Sequence, residues 1–86
     1  MAIFTRKANE GEKKWYENNA IFWECGVSKF DYTYDHDETC VVCSGLAEIT
    51  CDGRTVRLEP GVLAYFPNGS ACVWNIIQPI TKYFRS

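Results

Sequence analysis

The chain has 86 residues, a formal net charge of −2, and 47% hydrophobic and 15% aromatic residues. That length allows one domain, which buries only about 60% of its unfolded surface. The composition excludes a disordered chain, the lack of a basic stripe argues against a nucleic-acid partner, and no apolar run approaches the roughly 20 residues of a membrane span.

Met1 to Lys14 is polar and mixed in charge, without the apolar stretch of a signal peptide. Residues 1–19 are expected to form an N-terminal arm or an edge strand, and 20–86 the folded barrel. No window shows a convincing helical stripe. Short apolar runs punctuated by Gly, Pro, Asn and Asp predict an all-β fold, with about eight strands between Ala20 and Phe84.

The first expected hairpin turns at Gly26-Val27, with Gly at the first central position of a tight turn. It would pair Glu24 with Lys29, Trp23 with Phe30 and Ile21 with Tyr32. Trp23, Phe30, Tyr32 and Tyr34 then share the inner face. Asp35-His36-Asp37 follows as a polar cluster. His36, the single His, reads as a solvated loop residue, a pocket acid–base group or a metal ligand.

Thr39 to Cys43 reads as a strand. Residues three apart in a strand point to opposite faces, so Cys40 and Cys43 cannot grip one metal or join easily. Five cysteines without an export signal are expected to be free thiols in a cytoplasmic protein.

The clearest hairpin turns at Asp52-Gly53, a pair suited to two positive φ angles. It sets Thr50 against Thr55, Ile49 against Val56, Glu48 against Arg57 and Ala47 against Leu58. Apolar residues then meet on one face and opposite charges on the other. Val62 to Phe66 is a short apolar strand, and Pro67-Asn68-Gly69 a turn. From Ala71 to Ile77 the pattern alternates, with Cys72, Trp74 and Ile76 on one side. Pro79 is expected to interrupt, leaving Ile80 to Phe84 as a last strand.

Two segments carry more than generic strand pattern. Glu38 to Gly45 has the form Glu-x6-Gly, and Gly61 to Gly69 the form Gly-x5-Pro-x-Gly. Each glycine marks a corner where a strand ends. These resemble the two half-motifs of the cupins, at the short intermotif spacing common there. With Phe22-Trp23-Glu24-Cys25, Asp35 to Cys40, Trp74 and Lys82-Tyr83-Phe84 in order, the chain is similar to very small cupins such as the cupin domain of ureidoglycine aminohydrolase. The resemblance implies a double-stranded β-helix, the jelly-roll barrel.

It also implies a metal site that the residues do not supply. Tyr32 and Tyr34 stand where metal-binding cupins have His-x-His, and Cys72 where they have the second-motif His. Only Glu38 keeps its identity. No cofactor is therefore expected, with an atypical divalent metal held by Glu38, His36 and Cys72 as the alternative.

Trp23, Tyr32, Tyr34, Glu38, Cys72 and Trp74 are the expected pocket, with Glu38 the best catalytic candidate. These aromatics either fill a small barrel or line a site for a small polar ligand whose N–H groups Glu38 would accept. The alternative function, which the resemblance suggests, is an enzyme acting on a ureide-like compound, with Glu38 as its base and an atypical metal site. The resemblance also implies a homodimer through edge strands.

Overall fold

The structure, a computed structural model, describes residues 3–86. Strand β1 (Phe4–Lys7) and helix α1 (Glu10–Asn19) precede β2 (Ile21–Cys25), β3 (Ser28–Thr33), β4 (Glu38–Cys51), β5 (Arg54–Leu58), β6 (Val62–Phe66) and β7 (Ala71–Arg85). Every ladder is antiparallel. The all-β expectation holds. No helix among the described residues is long and apolar enough to cross a membrane.

The long strands β4 and β7 each serve two sheets. The first half of β4 pairs with β6 and the second half with β5. The C-terminal half of β7 pairs with β2 and its N-terminal half with β3. One sheet thus runs β1-β6-β4-β7-β2 and the other β5-β4-β7-β3. Their inner faces enclose Ile49, Leu58, Phe66, Ile76 and Ile80, all fully buried. Each such side chain contributes about 1.5–3 kcal/mol of burial.

The bend that turns one sheet into two lies at Gly45. Its φ is +91°, and an added Cβ would stand 2.6 Å from the Ile80 Cα. The register passes from Ser44↔Thr81 to Leu46↔Gln78. Pro79 and Ile80 therefore face Gly45 as a bulge. Pro79 was expected to end a strand, yet β7 runs through it. A proline at a bulge costs no ladder bond. Six strands, not about eight, form between residues 20 and 86. The long ones bend where they were expected to break.

The Asp52-Gly53 hairpin has the expected register, with φ of 51° and 74°. The Thr50 and Thr55 hydroxyls lie 2.9 Å apart. The Gly26-Val27 hairpin does not form. Both β2 and β3 run antiparallel to β7, Ile21 against Phe84 and Ser28 against Ile76. They therefore run in one direction, and Gly26 has no positive φ. Gly26-Val27 is a joint carrying the chain from one sheet to the other. The local pairing loses because β7 offers both segments a longer partner. Trp23 and Phe30 both pack on Trp74, with centroids at 5.8 Å and 6.1 Å.

Residues 10–19 form a helix where an arm or edge strand alone was expected. Asn9 caps it, and Glu12 returns the bond to the Asn9 N–H. Such a capping box needs no apolar stripe. Tyr16 is the helix's one buried residue, and it packs with Val41 and Leu63 in a second small cluster. The strand β1 pairs with β6.

Candidate functional site

Glu38 opens β4, directly opposite Phe66 on β6. Lys82 lies on the C-terminal half of β7, opposite Val42. Alternation in β7 turns Ile80, Lys82 and Phe84 inward. The Lys82 ammonium donates to Glu38 Oε2 at 2.9 Å, with the two side chains 5% and 7% exposed. A buried pair of opposite charges satisfies groups that would otherwise be costly to desolvate. Aromatic rings complete the surround. The Lys82 Nζ lies 5.0 Å from the Trp23 centroid and 5.2 Å from those of Trp74 and Phe84. Each distance falls within cation–π range.

The cage opens into a cavity of about 150 Å³. Such a volume admits a guest on the order of benzene in size. Glu38 and Lys82 meet there with Trp23, Trp74, Phe30 and Phe84, while Tyr32, Tyr34 and His36 complete the lining. Tyr34 stacks on Phe66 at 4.7 Å and meets the Tyr32 ring edge-on at 4.6 Å. Burial, then the Glu38 charge, holds the Tyr34 phenol far above its ordinary pKa. It is a neutral wall. His36 Nδ1 lies 2.6 Å from Asp35 Oδ1.

Five of the six expected pocket residues converge: Trp23, Tyr32, Tyr34, Glu38 and Trp74. Cys72 does not line the cavity. It is buried near the start of β7, opposite Cys51 and beside the Asp52-Gly53 turn. Alternation rightly turned it inward but could not say how far along the barrel it sits. Burial, then Cys51, pushes its thiol up to about 12. Cys40 is buried and Cys43 exposed, on opposite faces as expected.

Lys82 was missed. The signal was present, since Ile80, Lys82 and Phe84 alternate in the last strand, but a lysine there reads as solvated unless a buried acid faces it.

These positions do not fit the metal that cupins commonly hold. Tyr34 lies flat on Phe66, Cys72 is away from the cavity, and a cation already sits on Glu38. Among the described residues, no three His, Cys, Asp or Glu side chains could share an ion.

Residues 11–84 match the family described as the EutQ-like cupin domain. The chain belongs to that cupin family. No curated protein matches it. The cupin is similar to the solved structure of a DUF861 family protein from Thermotoga maritima. The two share 32% identity, with a TM-score of 0.87 and 98% of each chain covered. It is also similar in fold to the EutQ protein of Clostridium difficile. There the identity is 24% and the TM-score 0.68, over 95% of this chain and 64% of that one. The putative ethanolamine utilization protein Q of Salmonella typhimurium shares the fold at 16% identity and TM-score 0.70, over 98% and 68% of the chains. None of these likenesses points to ureidoglycine aminohydrolase. They establish a cupin fold with no assigned activity.

Proposed function

We propose that this cupin binds a small polar organic molecule carrying a carboxylate or carbonyl group, with the Lys82 ammonium as the fixed positive charge in place of a metal ion. The observation that carries the reading is the buried Glu38–Lys82 pair at the cavity wall. An ammonium has three donors, and Glu38 takes one. A ligand oxygen can accept another, while Glu38 accepts a ligand N–H. The rings restrict the guest to a small, flat or compact body.

The test is an NMR titration with acetate, benzoate and benzamide, following the three indole resonances. Binding should move Trp23 and Trp74, which line the cavity, and leave Trp15 still. Lys82→Met should abolish the response. Unmoved Trp23 and Trp74 resonances at saturating millimolar ligand would overturn the reading.

A second reading, metal-free turnover of a ureide-like compound, draws on one feature. The His36 ring is held by Asp35 at the edge of the cavity that contains Glu38. A carboxylate-oriented imidazole suits proton transfer. Ammonia release from ureides that is lost in both Glu38→Gln and His36→Gln would support it, and no release would remove it.

A further inference from the structure

Lys82 differs from every other lysine of the chain. Lys7, Lys14 and Lys29 are exposed, and Lys13 is half-buried beside the Glu10 carboxylate. An ammonium in water at neutral pH keeps its proton and has no lone pair to offer. Lys82 is buried and lines the cavity, with the Glu38 carboxylate 2.9 Å from its nitrogen. Proton transfer within this pair leaves a neutral amine and a neutral acid, which removes two buried charges at once. A lysine held in such surroundings is suited to bond to a carbonyl carbon.

The rings favour the product of that reaction as well. The Trp23, Trp74 and Phe84 centroids lie 5.0 to 5.2 Å from the Lys82 nitrogen. An iminium is a cation in the same place. It keeps the charge that these rings attract and that Glu38 pairs with. The cavity of about 150 Å³ limits the guest to a compact body.

We propose that Lys82 captures a small aldehyde in this cavity as a covalent iminium, with Glu38 carrying the proton. Capture rests on the reading that the cavity binds a small carbonyl compound. The Lys82 ammonium first passes a proton to Glu38. Its lone pair then forms a bond to the aldehyde carbon, and the carbonyl π pair moves to the oxygen. That oxygen takes a proton from the nitrogen, which gives a carbinolamine. Glu38 returns its proton to the hydroxyl, which leaves as water while the nitrogen lone pair forms the C=N bond. One aldehyde is bound and one water released. The positive charge is again on the Lys82 nitrogen and the negative charge on Glu38, and nothing is oxidised or reduced.

Reductive trapping tests the capture. The native protein is incubated with benzaldehyde and cyanoborohydride at neutral pH, and peptide mapping locates the benzyl groups. Lys82 should be labelled at least about tenfold faster than Lys7, Lys14 or Lys29. That advantage should vanish in guanidinium chloride, and in Glu38→Gln with its fold checked by circular dichroism. Native Lys82 labelled no faster than the exposed lysines would overturn the proposal. So would an advantage that survives in guanidinium chloride or in folded Glu38→Gln. Benzoate still moving the Trp23 and Trp74 resonances in that event would leave the binding reading standing and remove the covalent step alone.

Discussion

Lys82 and Glu38 stand 44 positions apart in the chain, yet their charged atoms meet at 2.9 Å inside the barrel. Both side chains are buried to within a few per cent at the cavity wall, and three aromatic rings surround the ammonium. Breaking such a pair leaves an uncompensated buried charge, which costs about 3–5 kcal/mol. Glu38→Gln should therefore lower unfolding free energy in urea by about 3 kcal/mol. The double variant E38Q/K82M should lose clearly less than the sum of the single losses. Additive losses would mean that the two side chains act independently.

The corner at Gly45 has no room for a side chain. Gly45→Ala meets the backbone of Pro79 and Ile80 at a positive φ. It should destabilise the fold by at least about 2 kcal/mol. Gly26 provides the contrast, with nothing within 4 Å of an added Cβ and no positive φ. Gly26→Ala should change stability by no more than about 0.5 kcal/mol. A large loss at Gly26 would favour a tight turn over the joint. Thermal and urea unfolding of the two variants decide this.

Glu12 links the helix cap to the N-terminal strand. The bond from Arg6, then that from the Asn9 N–H, holds its carboxyl down at about 2 from 4.5. Its folded pKa lies below its unfolded one, so its contribution is full above pH 4.5. As pH falls towards 2 the unfolded chain takes up the proton first, and the contribution is lost. Side-chain NMR should place the Glu12 midpoint near 2, moving upward in Arg6→Ala. Asn9→Ala should cost about 1 kcal/mol through the lost cap.

The thiols should divide by burial. Cys43 is exposed, whereas Cys40, Cys51 and Cys72 are buried. Burial pushes Cys40 up to about 11 and Cys72 to about 12, so both stay protonated and unreactive at pH 8. Iodoacetamide with peptide mapping should label Cys43 in the native protein, and Cys40, Cys51 and Cys72 after unfolding. Early labelling of Cys72 would show that its end of the barrel opens.

Much of the fold was legible locally. Asp52-Gly53 specifies its hairpin to the residue, because two positive φ angles and matched cross-strand pairs leave one register. Alternation placed Cys72, Trp74 and Ile76 on one buried face, and the two glycine-bearing half-motifs pointed to the barrel and to Glu38. The helix also had a local sign, the Asn9-x-x-Glu12 box, which an apolar search passes over. Other features depended on which strand lies alongside. Glu24 and Lys29 look like hairpin partners until β7 takes both strands. Pro79 looks like a break until Gly45 stands across from it. Lys82 looks like a surface residue until Glu38 arrives from the far side of the barrel. Side-chain period tells which face a residue takes, and turn chemistry tells where the chain reverses. Neither contains the distance between segments that meet only when the sheets close, so the Glu38–Lys82 centre was decided by tertiary structure.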